Sequence, residues 1–236
     1  MQYLRSIVFT GLFFVATLVA ALTILVFSWL PWRARYHIAY AWAWTVLHLG
    51  KWLCGMHWIV EGRENIPQEG AHVTFWKHSS SWETMAQVLV FPPQAWVLKR
   101  EILWIPFIGQ ATWLMKPIAI NRKAGSRAVF QVVDQGIARL KAGMWVLIFP
   151  EGTRTGRGED RKWGLSGALL ATRAGCKAIP VAHNAGDLWG RRGLLKSRGT
   201  IRVVIGPPID AAGLDPRQLN EQLRRWVDAK VAEISL

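Results

Sequence analysis

A chain of 236 residues, half of them apolar, can build one sizeable folded domain plus an accessory segment, and this composition excludes disorder. Its 29 Lys and Arg against 15 Asp and Glu give a net charge of +14, which attracts polyanions, either nucleic acid or an anionic lipid surface. The two cysteines, Cys54 and Cys176, form neither a disulfide framework nor a metal-type spacing and fit a reducing compartment.

The most apolar stretch comes first. Residues 7–30, IVFTGLFFVATLVAALTILVFSWL, carry no charge. That run matches a membrane-crossing helix, which needs about 20 apolar residues. A secretory signal has a shorter apolar stretch and a small-residue cleavage site, and neither is obvious here. Arg33 and Arg35 follow, then the tryptophan-rich segment YAWAWTVLHLGKWLCGMHWIV (residues 40–60), whose indoles suit the lipid–water boundary. Membrane attachment is therefore expected, with anionic lipid rather than nucleic acid as the polyanion. Hydropathy leaves open whether the pair crosses the bilayer, enters as a hairpin or lies along it.

At Glu61 the composition changes, and EGRENIPQEG reads as a polar turn into a second unit. This divides the chain into a membrane-embedded two-helix segment, residues 1–60, and an α/β domain, residues 61–236. In the second unit short apolar runs alternate with helical patterns, as in an α/β layer with a mixed, largely parallel sheet flanked by helices. Strands are expected at 71–76, 95–99, 117–121, 144–149, 178–182 and 200–206. Helices are expected from Ser81 to Leu89, Ser126 to Lys141, Gly164 to Ala174, and from Asp215 onward. Asp215 reads as the cap of the last helix and Pro216 as its first residue.

Three strand ends carry polar residues that a core cannot use. The first is followed by Lys77, His78 and three serines, another by Arg122, and the buried run MWVLIF by Pro150-Glu151-Gly152-Thr153-Arg154. In α/β sheets, ligands gather beyond the carboxyl ends of strands, where backbone donors and helix N-termini converge. His78 and Glu83 lie five positions apart. They would be about 140° out of line on one continuous helix, so they meet only if His78 is in the loop and Glu83 in the first turn. Such a pair fixes the imidazole tautomer and stabilises the imidazolium as His78 takes a proton. A plainer reading makes Ser80 an N-cap with Glu83 completing a capping box. In FPEGTR (149–154), Gly152 allows close approach of backbone to ligand, Arg154 offers a planar fork for phosphate, and Glu151 suits a hydroxyl or an arginine. Arg122 reads as a second phosphate contact or as a surface ion pair.

On these residues the chain resembles the glycerolipid acyltransferase family. That family's first motif is histidine, four residues, then aspartate; here Glu83 replaces the aspartate. Its second is the strand-closing arginine of KPIAINR (116–122), its third FPEGTR, intact here, and its fourth the proline-centred AIPVA (178–182). The resemblance implies a reaction in which His78, oriented by Glu83, removes a proton from the sn-2 hydroxyl of 1-acyl-sn-glycerol 3-phosphate. The oxygen then attacks an acyl thioester, giving phosphatidic acid without an acyl-enzyme. It further implies that Arg122, Glu151, Gly152, Thr153 and Arg154 form the phosphate site. No metal or resident cofactor is expected, with acyl-CoA or acyl carrier protein as acyl donor and co-substrate. A cytoplasmic thioester places the site on the cytoplasmic face of the inner membrane. The basic stretch DLWGRRGLLKSRG (187–199) is expected to touch anionic headgroups. Alternatives are the same chemistry on a lyso-ornithine lipid or lipid A precursor, a phosphohydrolase or metal enzyme using His78, Glu83 and His183, and a non-enzymatic tether.

Overall fold

The computed structural model describes residues 1–121, 124–156, 158–159, 161–191 and 193–235. Two helices open it: α1 (Gln2–Val26) and α2 (Trp32–Leu49). Among the described residues α1 is the one helix long and apolar enough to cross a membrane by length and composition. Its most apolar window has a mean hydropathy of 2.5 and is only 17% buried. Residues 27–31 turn the chain back, so that Trp42 Nε1 donates to Thr17 Oγ1 at 3.1 Å across the resulting hairpin. Arg35 is not a solvated flank. It is buried, and its guanidinium donates to the carbonyls of Ser28, Leu30 and Leu114, which fastens the hairpin turn to a later part of the chain.

A single turn of π-helix, Gly50–Cys54, ends the hairpin. The described residues then build an eight-stranded sheet from β1 (Met56–Glu61), β2 (Val73–Trp76), β3 (Gln94–Lys99), β4 (Ile118–Ile120), β5 (Trp145–Ile148), β6 (Lys177–His183), β7 (Gly199–Ile205) and β8 (Ile209–Asp210). Strands run in the order β1-β7-β6-β2-β5-β3-β4, with β8 also on β6. The pairs of β2 with β5 and β6, of β3 with β4 and β5, and of β1 with β7 are parallel; β7 and β8 run antiparallel to β6. The sheet is thus mixed and largely parallel.

The intervening helices are α3 (Glu83–Val90), α4 (Ile108–Leu114), α5 (Ser126–Lys141), α6 (Ser166–Ala174), α7 (Ala185–Leu188) and α8 (Pro216–Ile234). They cover both faces, which is why the central strands are apolar throughout rather than alternating. On β5, Trp145 and Leu147 join one core with the N-terminal hairpin and α3, while Val146 and Ile148 join another with α5, α6 and α8. Asp215 caps α8, accepting the N–H groups of Arg217 and Gln218 at 2.9 and 3.1 Å, with Pro216 as its first residue.

Two parts of the sequence reading change. The tryptophan-rich segment 40–60 is not one lipid-facing element. It divides into α2, the π turn and β1, an edge strand whose Trp58 pairs with Ile201, so the polar turn after Glu61 follows the sheet's first strand. Within the basic stretch 187–199, two side chains form a seat for α1. Trp189 and Lys196 are buried there, with Phe9 edge-on to Trp189 and Lys196 Nζ bonded to Thr10 Oγ1 at 2.7 Å. Only its Leu194 and Leu195 stand out among the exposed large apolar side chains.

Candidate active site

The site lies beyond the carboxyl ends of β2 and β5, adjacent parallel strands. His78 sits in the loop after β2, and Glu83 is the first residue of α3. Because the loop supplies the bend that a continuous helix lacks, the two side chains meet: His78 Nδ1 lies 2.9 Å from Glu83 Oε1. A carboxylate only accepts, so Nδ1 carries the hydrogen and Nε2 is left as the basic nitrogen. Among the described residues no group bonds Nε2.

The Glu83 carboxylate is fully buried and also accepts the backbone N–H groups of Ser79 at 3.0 Å and Ser80 at 2.9 Å. Ser80 Oγ in turn accepts the N–H of Trp82 at 3.1 Å. Both halves of a capping box are therefore present, one position displaced, and the same carboxylate that caps the helix start holds the imidazole. Burial works to raise the Glu83 pKa, but the imidazoles of His183 and His78 and the Ser80 N–H outweigh it and hold the group below its ordinary value. Beneath α3, buried Gln94 on β3 donates to the Gln87 carbonyl at 3.0 Å and accepts from Thr74 on β2 at 3.2 Å, which fixes the helix against the sheet.

Glu151 is engaged within the protein. Its side chain is buried, one oxygen pairs with Lys77 Nζ, and the other accepts the His78 N–H at 3.0 Å and the Thr155 hydroxyl at 3.2 Å. Burial pushes its pKa up, against the opposing pull of Lys77. Thr155, which sequence reasoning missed, donates its own N–H to the His78 carbonyl at 2.8 Å. Phe149, read only as the end of a strand, stacks on the His78 ring with centroids 4.0 Å apart and planes 19° from parallel. The loop after β5 thus holds His78 by both its main-chain groups and one ring face.

His183, at the end of β6, is fully buried 3.9 Å from Glu83. Its ring nitrogens are both engaged by backbone, Nε2 with the Lys77 carbonyl at 2.8 Å and Nδ1 with the Ala185 N–H at 3.2 Å. Burial drives its pKa down against the opposing pull of Glu83, and its two backbone bonds make it a support for the Lys77–His78 loop. Among the described residues no three His, Cys, Asp or Glu side chains converge as metal ligands.

A cavity of about 850 Å³ opens in front of this pair. At its polar end are His78, Gly152, Thr153 and Arg154; Gly152 takes a φ of +69°, with open space where a side chain would start. Arg154 Nε is buried and has no hydrogen-bond partner among the described residues, leaving a donor for an acceptor from elsewhere. At the apolar end are Ala20 and Ile24 of α1, Trp42 of α2, Trp96 and Met115. Arg122 lies outside the described residues.

This α/β layer carries a histidine–carboxylate pair at its strand ends, opening on an apolar cavity, and the pair falls within residues 57–184, which match the Acyltransferase family model. The chain belongs to the acyltransferase family. It is 42% identical to the 1-acyl-sn-glycerol-3-phosphate acyltransferase of Pseudomonas aeruginosa, over 99% of this chain and 93% of that protein. The human 1-acyl-sn-glycerol-3-phosphate acyltransferase alpha is 28% identical over 72% of this chain and 61% of its own. In fold, the chain matches the crystal structure of the 1-acyl-sn-glycerophosphate acyltransferase of Thermotoga maritima with a TM-score of 0.82. That match covers 99% of this chain and 98% of the other, at 20% identity.

Proposed function

We propose that the chain transfers an acyl group from a thioester, acyl-CoA or acyl carrier protein, to the sn-2 hydroxyl of 1-acyl-sn-glycerol 3-phosphate, forming phosphatidic acid. The observation that carries this reading is one cavity with three properties. It presents a histidine whose Nδ1 is held by a buried carboxylate, a guanidinium whose buried Nε has no partner among the described residues, and an apolar end walled by side chains of α1, α2 and α4. The names of the relatives support the choice of acceptor.

His78 Nε2 takes the proton of the acceptor hydroxyl as its oxygen attacks the thioester carbonyl. The C–S bond then breaks, and the imidazolium returns the proton to the leaving thiolate. Glu83 stabilises the imidazolium between those steps. Arg154 binds the phosphate, two of whose oxygens suit the paired N–H donors of a planar guanidinium better than an ammonium. Glu151 acts through His78 and Lys77 rather than on the substrate. The acyl chain occupies the apolar arm. The helical hairpin anchors the enzyme to anionic lipid at the cytoplasmic face of the inner membrane, where acceptor and product reside.

The test is thiol release from an acyl thioester by purified protein in vesicles, with and without 1-acylglycerol 3-phosphate. Release that requires the acceptor and disappears in His78→Ala supports the assignment. Release undiminished in His78→Ala removes His78 as the base, and release only with a lysolipid lacking phosphate removes the role of Arg154.

A further inference from the structure

Residues 100–116, REILWIPFIGQATWLMK, have no helical or strand period, and the fold turns them into a compact knob. A 3-10 turn at Arg100–Trp104 leads through Pro106 into α4. The turn is tight: Gly109 donates to the Ile105 carbonyl at 2.7 Å, and a side chain at Gly109 would start 2.1 Å from the Leu103 carbonyl oxygen. Phe107 is held at a φ of +63°, a conformation that bulky residues rarely adopt.

This well-fixed element aims its large apolar side chains outward. Trp104 is 67% exposed, Trp113 65% and Phe107 53%, with Ile102 and Ile105 beside them. Such a cluster on an ordered surface marks an interaction site.

Its occupant follows from what it adjoins. The knob packs against α1. Arg35 binds the Ser28 and Leu114 carbonyls with one guanidinium, and Trp32 Nε1 donates to the Met115 carbonyl at 3.2 Å. These bonds bring the hairpin turn, where Trp29 is exposed, to the end of α4 next to Trp113. The apolar surface therefore adjoins α1, and Lys99, Arg100, Glu101 and Lys116 flank it in sequence, three cations to one carboxylate. The cavity's apolar arm lies between the same two elements, walled by Ala20 and Ile24 on one side and Ile102, Ile108, Ala111 and Met115 on the other.

We infer that the 102–113 knob inserts into the bilayer beside α1, so that the two bracket a cavity mouth opening sideways into lipid. Aromatic side chains at the interface and cations at the headgroups are the chemistry such a site uses. This rests on the membrane reading of α1 and not on the identity of the acceptor.

The test places a bimane label on the full-length chain, in a Cys176→Ala background, at Phe107→Cys, at Val19→Cys on exposed α1, or at Glu221→Cys on exposed α8. Each protein is reconstituted in phosphatidylcholine–phosphatidylglycerol vesicles with brominated acyl chains. The expected result is loss of emission at 107 equal to that at 19, with none at 221. Because Phe107 sits in an unusual conformation, Trp113→Cys serves as a second label for the same surface. Quenching at 19 but not at 107 or 113 overturns the knob and leaves α1 as the anchor. No quenching at 19, 107 or 113 overturns both the knob and the membrane reading, while thiol release still decides the chemistry separately.

Discussion

Glu151 accepts the backbone N–H of His78 at 3.0 Å, joining the loop after β5 to the residue that carries the imidazole. The FPEGTR run is in this sense a support for the histidine at Glu151 and part of the cavity wall at Gly152, Thr153 and Arg154. Removing the Glu151 carboxylate leaves Lys77 without its partner and the His78 N–H without an acceptor. Glu151→Ala should lower thermal stability by about 1–3 kcal/mol, the cost of orphaned buried groups. It should also lower kcat about 10²-fold through misplacement of the base, with little change in acceptor KM. A drop confined to KM would instead make Glu151 a substrate ligand.

His78→Ala should reduce kcat by about 10²–10⁴-fold, the usual share of a positioned base, with modest loss of stability. Glu83→Asp should fall between wild type and Glu83→Gln in steady-state rate. Its shorter side chain keeps the charge but cannot hold the Ser79 and Ser80 amides and the imidazole at once.

Arg154→Ala should weaken the phosphate-bearing acceptor, raising its KM about tenfold or more, as expected for a charge-assisted hydrogen bond worth about 1.5–3 kcal/mol. Arg154→Lys should recover only part of this, since an ammonium lacks the two-pronged geometry. Equal loss with a phosphate-free acceptor would contradict the assignment.

Two buried carboxylates give opposite pH signatures. Glu83 is held below its unfolded value of 4.5, so its stabilisation is present above that pH and is lost as pH falls through the folded pKa. The thermal midpoint of wild type should therefore exceed that of Glu83→Gln at neutral pH, with the gap closing in acid. Glu151 is raised above 4.5, so the fold favours its protonated form and the sign reverses: that contribution is present at low pH and fades as pH rises through the folded value. Paired unfolding curves of the Gln variants across pH 3–7 read both effects.

The layer architecture was legible because the buried strands and the α5 and α8 helices follow simple periods, and because Asp215-Pro216 is a local signal that tertiary packing does not override. The His78–Glu83 contact was legible from spacing, once a loop was assumed between them. Other features carried no such signal. Met56–Glu61 is an edge strand whose alternation is masked by neighbouring tryptophans, and its partner, β7, lies some 140 residues on. Phe149 looked like one more apolar residue of a buried run; only the turn at Pro150 lets it stack on the imidazole. Arg35 follows the apolar run like a solvated charge, and beside its two local acceptors, Ser28 and Leu30, the carbonyl of Leu114 comes from a segment 79 positions away.

The seat of α1 has a consequence for how the chain is made. Gln2 Nε2 donates to the carbonyl of Lys196, and β1 pairs with β7 from Met56↔Gly199 onward. The side of α1 that meets Lys196 thus waits for residues 194 positions further on before it is covered. Contacts of such long range form late, and the uncovered apolar surface invites aggregation meanwhile. Chains truncated before residue 196 should keep the packing of α1 on α2 and α4 but lose the seat that Lys196 gives it.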